Sequence, residues 1–103
     1  MPVYVDEAIF ERWGRRWCHL TADTPEELHA FAAGLGLGRA RLQSKPDRPW
    51  ADHYDLTEEK RREAVARGAV EITLKEAGRQ LARKRRRARG KPDPPAGGAQ
   101  RDR

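Results

Sequence analysis

The chain contains a single cysteine, only two phenylalanines and two tyrosines, and no long apolar run among its 103 residues. Because Cys18 has no partner for an internal disulfide, we expect a reducing, cytoplasmic location. No stretch approaches the roughly 20 apolar residues of a membrane span. The start MPVYVDEAIF also lacks the charged-then-apolar order of a signal peptide, so the sequence predicts no membrane segment.

Positive charge is concentrated at one end of the chain. Residues 79–103 hold 10 Lys or Arg against 2 Asp, whereas residues 1–78 hold 12 Lys or Arg against 14 Asp or Glu. An electrostatic argument for a nucleic-acid partner must therefore rest on the C-terminal segment. That segment is also too polar and too rich in Pro and Gly to form a core. We expect one compact domain over residues 1–82 and a disordered basic tail over residues 83–103.

Short apolar and β-branched segments predict the strands. VYV at 3–5, RWCHL at 16–20 and AVEIT at 69–73 are typical of strands, and ARLQ leaves a further short strand open. Alternation along the second segment places Cys18 and His19 on opposite faces of the sheet. This arrangement disfavours a Cys–His nucleophilic pair.

Capping residues predict three helices. Thr24, Thr57 and Thr73 each precede a helical pattern and are natural N-caps. In the third helix, the apolar residues of LKEAGRQL at 74–81 would form the buried stripe. The resulting order is β-β-α-(β)-α-β-α. It predicts an α/β class: a small single domain with a short mixed sheet, about three helices and a disordered basic C-terminal tail.

Five segments in order resemble a small bacterial and phage family, the domain of unknown function 4031 family. They are VYVDEA, WCHLTAD, ELHAFAAGLGL, HYDLT and KRREAVARGAVEIT, which together cover roughly residues 3–78. The resemblance implies a self-contained domain followed by a dispensable tail. It implies no activity, so candidate roles have to come from the residues themselves.

Four ionisable residues are candidates for catalysis: Asp6, His19, His53 and Asp55. Asp6 and His19 lie at or near the carboxyl ends of predicted strands, where α/β sheets bind ligands. His53 and Asp55 belong to RPWADHYDL, directly before the second helix. An imidazole beside a carboxylate suits general acid–base chemistry near neutral pH. The structural alternative is that the aspartates cap turns and His19 is a core residue.

Three further residues near this segment are candidates for ligand binding. Tyr54 offers a phenol, Trp50 offers a ring for stacking, and Arg61 lies one turn into the second helix, where an anion would meet free backbone N–H groups. A phosphate-containing or nucleotide-type ligand suits this set best. The residue types also suit a divalent metal, but no metal-binding spacing is present. The sequence therefore leaves open the cofactor, the metal and whether the protein is an enzyme.

The tail supplies an alternative function. ARKRRRARGK at 82–91 has the composition of a nucleic-acid-binding patch, without aromatic residues to stack on bases. A nucleic-acid-binding accessory module would contact phosphates through its basic residues, whereas the structural alternative is a solvated extension. A protein-interaction domain also remains open. The nucleic-acid-binding candidates are Arg83, Lys84, Arg85, Arg86, Arg87 and Arg89.

Overall fold

The structure, a computed structural model, describes residues 2–90, which form six strands and three helices. The strands are β1 Val3–Val5, β2 Phe10–Arg12, β3 Arg15–Ala22, β4 Leu42–Gln43, β5 His53–Thr57 and β6 Val70–Glu71. The helices are α1 Pro25–Gly34, α2 Glu58–Ala66 and α3 Leu74–Ala88, and two 3-10 turns cover Arg39–Arg41 and Pro49–Ala51.

All six strands belong to one mixed sheet: five follow the order β4-β5-β3-β1-β6, and β2 pairs with β3 outside this path. β1 and β6 are parallel, and the other pairs are antiparallel. β3 is the central strand: β5 lies along one edge, while β2 pairs with its first half and β1 with its second half. The predicted α/β class and the short mixed sheet with three helices are confirmed.

Two of the strands were not recognised in the sequence. β2 forms a hairpin with β3 through Trp13 and Gly14, both of which have positive φ (54° and 72°). Two consecutive residues with positive φ are typical of a type I′ turn, whose twist matches that of the flanking strands. β5 consists of HYDLT, which the sequence pattern indicates only as the segment that leads into α2.

The predicted helix caps are confirmed. The hydroxyls of Thr24 and Thr57 accept hydrogen bonds from the backbone N–H groups three residues on. Thr73 does the same and forms a reciprocal capping box with Glu76, whose carboxylate accepts from the Thr73 backbone. Each cap satisfies backbone donors that the first helical turn cannot pair, so these helix starts are determined by local sequence.

The helices cover both faces of the sheet. α1 and α2 pack on one face, where the core includes Val5, Leu20, Tyr54 and Leu56. α3 lies across the other face, because Gln80 bonds to Thr21, which alternates with the core residue Leu20 along β3. The domain therefore has three layers, and the face under α3 carries polar side chains.

Contact with a polar face changes which side of α3 is buried. The predicted apolar stripe is wrong, since Leu74 and Leu81 are exposed (41% and 36%) and Gln80 is buried. α3 also continues through Ala88, past the boundary predicted after residue 82. Residues 91–103 of the predicted tail lie outside the described part of the chain. No helix within residues 2–90 is long and apolar enough to cross a membrane.

Candidate functional site

Strand register brings the four candidate catalytic residues onto one face of the sheet. β3 and β5 pair His19 with Asp55, and β1 pairs Val5 with Leu20, so that Asp6 follows opposite His19. His53 precedes Asp55 by two residues and therefore points to the same face. Side chains from three adjacent strands meet here, although the proposed strand-end location applies only to Asp6, since His19 lies within β3.

Asp6 holds His19 through both of its carboxylate oxygens. Oδ1 accepts the backbone N–H of His19 at 2.6 Å, and Oδ2 lies 2.7 Å from Nδ1 of the ring. Asp6 is buried, with 4% exposure, and the Phe10 ring stacks on the imidazole at 4.9 Å. Because an ionised carboxylate only accepts, it favours the proton on Nδ1. Nε2 of His19 has no hydrogen bond to the described residues.

His53 lies edge-on to His19, with the ring centroids 4.8 Å apart. Its Nδ1 lies 2.9 Å from the carbonyl of Ala51, which can only accept, and its Nε2 lies 3.3 Å from Oδ1 of Asp55. Burial by itself lowers the pKa of His53, but Asp55 and the Ala51 carbonyl favour the imidazolium and raise the pKa overall. His53 and Asp55 therefore form an ion pair on the face of the sheet, where both side chains are partly buried.

Asp55 is held by Arg12, which is not among the candidates predicted from the sequence. Nη2 of Arg12 donates to Oδ2 at 2.8 Å, and the guanidinium lies 4.6 Å from the Trp13 ring centroid. Burial by itself raises the pKa of Asp55, but its contacts with His53 and Arg12 lower it overall. Only the β2–β3 hairpin brings Arg12 to this position. The sequence indicates a turn at Gly14, but the strand pairing of Phe10–Arg12 before it was not predicted.

Asp6, His19, His53 and Asp55 form one cluster, and a cavity of about 420 Å³ separates this cluster from α3. His19 and His53 line its sheet side, and Asp55 lies next to them without forming part of the wall. The opposite and lateral walls include three cationic side chains, those of Lys45, Arg48 and Lys84. The carboxylates of Asp6 and Asp52 also line the cavity, so the site combines two imidazoles with a small excess of positive charge around one concave space.

Gln80 contributes a buried polar group to the same cavity. The residue is only 5% exposed, and its Oε1 accepts the hydroxyl of Thr21 at 3.0 Å. Its Nε2 has no hydrogen-bond partner within residues 2–90. Buried amide groups are nearly always paired, so an unpaired donor beside a cavity is a candidate contact for a ligand acceptor. Gln80 was missed because the apolar pattern of α3 assigned the buried face to other residues.

The structure does not bring the predicted ligand-binding residues to this cluster. Tyr54 points to the core face with 1% exposure, and its hydroxyl bonds to Nδ1 of His29 at 2.9 Å. Arg61 bonds to the Asp6 carbonyl and to Glu71, at 2.7 Å and 3.0 Å. Trp50 lines neighbouring cavities beside α3 and is not part of the wall described above. Alternation along β5 separates Tyr54 from His53 and Asp55.

The basic residues of the predicted tail divide into two groups. Lys84 packs against the domain: Nζ donates to the Ala22 carbonyl at 2.9 Å, and burial lowers its pKa. Arg85 and Arg89 are exposed on the last turns of α3, where they border a separate cavity. The candidate nucleic-acid patch therefore begins as a helix rather than as an irregular tail, and Lys84 belongs to the site cavity.

One group of side chains has the composition of a metal site. His19, His53 and Asp55 each offer one ligand atom, and these three atoms lie within 4.8 Å of one another. The arrangement offers two kinds of chemistry: proton transfer through imidazole nitrogens, and coordination of a cation.

Comparison with known proteins identifies a family without an assigned activity. The model of the family described as "Protein of unknown function (DUF4031)" matches residues 3–84. This match covers the sheet, the three helices up to Lys84 and every residue of the cluster. The chain matches none of the curated proteins and none of the solved structures with which it was compared.

Proposed function

The chain belongs to the DUF4031 family, and we propose that it is a ligand-processing, hydrolase-like domain that acts on a small phosphate-bearing ligand. The ligand would occupy the cavity between the sheet and α3, with His19, His53 and Asp55 at the reacting end. The observation that carries the proposal is that two imidazoles and three cationic side chains line one cavity. A cytoplasmic location remains a prediction from cysteine content.

The size and charge of the cavity support a small anionic ligand. Its volume of about 420 Å³ falls within the range of about 300–1,000 Å³ that is usual for small-molecule sites. The cavity wall contains three cationic side chains, Lys45, Arg48 and Lys84, against two carboxylates, Asp6 and Asp52. The remaining positive charge favours an anion over a neutral ligand. Lys84 donates one bond to Ala22 but carries three N–H donors, so it has capacity for a ligand oxygen.

The histidine cluster supports chemistry at one end of that cavity. Each imidazole has Nδ1 against a protein oxygen, so each would act on a ligand through Nε2. Nε2 of His19 is open, whereas Nε2 of His53 faces Oδ1 of Asp55 and would act together with it. The unpaired Nε2 of Gln80 offers a further donor to a ligand oxygen. Recognition of an anion and action on it would therefore use different walls of the same space.

Titration with inorganic pyrophosphate and a nucleoside monophosphate, followed by NMR or calorimetry, tests the binding part of the proposal. We expect Arg48→Ala and Lys45→Ala each to weaken binding by about tenfold, the effect of losing roughly 1.4 kcal/mol of charge-assisted contact. Lys75→Ala is the matched control, because Lys75 is exposed on α3 and does not line the cavity. Equal weakening by all three variants would point to diffuse charge and contradict a defined site.

Release of product from a panel of phosphate mono- and diesters tests the chemical part. We expect His53→Gln to reduce the turnover rate by at least about 100-fold, as is usual for a group that handles a proton or orients the reacting atoms. The melting temperature should change little, since His53 lies at the sheet surface and not in the core. A large loss of stability with activity retained would place His53 in the scaffold.

Nucleic-acid binding remains the second candidate, and the exposed arginines at the end of α3 are the observation that favours it. Because Lys84 contacts the sheet, a truncation that tests the tail has to begin after it. We expect removal of residues 85–103 to abolish binding to duplex DNA or RNA at physiological salt while the domain stays folded. Undiminished binding by the truncated chain would exclude this role for the tail.

A further inference from the structure

We infer that His19, His53 and Asp55 form a binding site for one first-row divalent metal ion, for which Zn²⁺ is the probe. Imidazole and carboxylate are ligands that such ions take, and three protein ligands leave coordination positions open. The inference deepens the proposed function, since it names a cofactor for the same site. It rests on that proposal only for the identity of the ligand that reaches the open positions.

Outer hydrogen bonds orient both imidazoles for coordination. Nδ1 of His19 faces the buried carboxylate of Asp6 at 2.7 Å, and Nδ1 of His53 faces the Ala51 carbonyl at 2.9 Å. Metal-binding histidines almost always donate their second ring N–H to a carboxylate or a backbone carbonyl in this way. Both hydrogen bonds direct Nε2 of the ring toward a metal, with Asp6 as a positioning residue. Because Asp55 favours a proton on Nε2 of His53, binding of a metal there would release that proton to solvent.

Asp55 resembles the two histidines in that one of its polar atoms is hydrogen-bonded and the other is available to a metal. Arg12 donates to Oδ2 at 2.8 Å, which fixes the carboxylate, whereas the buried Oδ1 has no hydrogen-bond partner within the described chain. Its contact with Nε2 of His53 at 3.3 Å meets only the distance for an ion pair. An unpaired buried oxygen is costly, and a coordinated cation would satisfy it.

The distances between the three ligand atoms are close to those of a metal site and need to shorten only slightly. Bonds of about 2.0–2.1 Å in a tetrahedral site separate neighbouring ligand atoms by about 3.3 Å. Nε2 of His53 and Oδ1 of Asp55 already have this separation, and no pair among the three ligand atoms exceeds 4.8 Å. Shortening the longer separations by about 1.5 Å or less would complete the site, and small side-chain movements that keep the outer hydrogen bonds and the strand register would achieve this.

The cavity explains what the open coordination positions would face. His19 and His53 line the cavity, whereas Asp55 lies beside them and outside its wall. A metal held by all three would therefore present its free positions toward the space bordered by Lys45 and Arg48. In the metal-loaded protein, the two histidines serve as ligands and are not the groups that carry protons.

Titration of the untagged, chelator-treated full chain with Co²⁺ and Zn²⁺ tests the inference without any substrate. Visible absorption of Co²⁺ reports coordination, and calorimetry with Zn²⁺ gives stoichiometry and affinity. We expect one equivalent to bind. His19→Gln, His53→Gln and Asp55→Asn should each weaken binding by at least about 100-fold, and Asp6→Asn by about 10- to 100-fold, the usual effect of losing an outer partner.

The third histidine of the chain provides the matched control. His29 bonds to Tyr54 and lies away from the cluster, so His29→Gln should bind both metals as the wild-type chain does. Circular dichroism checks that every variant is folded. Absence of binding by the folded wild-type chain, or equal affinity of His53→Gln and wild type, would overturn the metal site.

The pyrophosphate titration, carried out with metal-free protein, separates the two proposals. Metal binding without pyrophosphate binding would support the metal site and contradict the proposed anion cavity. Pyrophosphate binding that depends on Arg48, in a chain that binds no metal, would support the cavity and overturn the metal site.

Discussion

Replacement of Asp6 by Asn measures how much the two hydrogen bonds that orient His19 contribute to the free energy of unfolding. The Asp6 carboxylate is nearly fully buried and makes two short contacts, at 2.6 Å with the backbone N–H and at 2.7 Å with the ring of His19. Hydrogen bonds to charged groups contribute about 1.5–3 kcal/mol each. The amide of Asn can accept the backbone N–H through Oδ1, but it can bond Nδ1 of His19 only by donating from Nδ2, which moves the ring proton to Nε2. Both bonds also lose their ionic partner.

The expected loss in the free energy of unfolding is therefore about 2 kcal/mol for Asp6→Asn. For a domain of this size such a loss lowers the melting temperature by about 10 °C. Urea denaturation followed by circular dichroism gives the same quantity as a shift of about 1 M in the midpoint. Asp6→Ala should cost more, about 3–5 kcal/mol, because the N–H of His19 loses its acceptor altogether.

Asp47→Asn is the control for removal of a negative charge. Asp47 is exposed and lies outside the cluster, so its replacement should change stability by no more than about 0.5 kcal/mol. If Asp6→Asn also stayed within about 0.5 kcal/mol of wild type, the two contacts with His19 would contribute no net stability. Such a result would refute the predicted stabilisation of the fold by these two bonds.

Three other expectations follow from the core and the helix caps. Tyr54→Phe should lower stability by about 1 kcal/mol through loss of the bond to His29, and a double-mutant cycle with His29→Gln should show the two effects to be non-additive. Burial raises the pKa of Cys18 to about 12, which leaves almost no reactive thiolate at pH 8. A thiol-specific reagent should therefore modify Cys18 at least about 100-fold more slowly in the folded chain than in urea. Equal rates of modification would contradict burial of the thiol. The hydrogen bonds of the capping box, first to the backbone and then to the hydroxyl of Thr73, lower the pKa of Glu76. The ionised Glu76 carboxylate therefore contributes its full stabilisation above pH 4.5, the ordinary pKa of Glu, and loses it as the pH falls through the lowered pKa. The difference in unfolding free energy between wild type and Glu76→Gln should shrink on acidification. A difference that stays constant with pH would refute the role of Glu76 in the capping box.

The local signals in the sequence were sufficient for the helix starts. Each capping hydroxyl accepts a hydrogen bond from the backbone N–H three residues further on, in Thr24, Thr57 and Thr73 alike. These bonds can therefore be predicted without knowledge of the rest of the chain. Alternation along β3 likewise separates Cys18 from His19 as predicted, with the thiol buried in the core. These features depend on backbone geometry over one turn or a few strand residues.

The candidate site required information of longer range. Asp6, His19 and Asp55 were identified as residues of suitable type, but their proximity depends on the pairing of β1 and β5 with β3. Arg12 enters only through the β2–β3 hairpin, and Gln80 only because α3 covers a polar sheet face. None of these pairings has a signature in the spacing of the residues along the chain.

By itself, the sequence determined the α/β class, the helix caps and the chemical types available to a site, because these follow from interactions between near neighbours. Tertiary structure alone decided that Tyr54 bonds to His29 and Arg61 to the Asp6 carbonyl, outside the cavity wall, while His19, His53 and Asp55 share one cluster beside a cavity. The physical reason is that strand register and helix placement are set by the packing of the whole core, where a shift of one residue would turn every side chain of a strand to the opposite face.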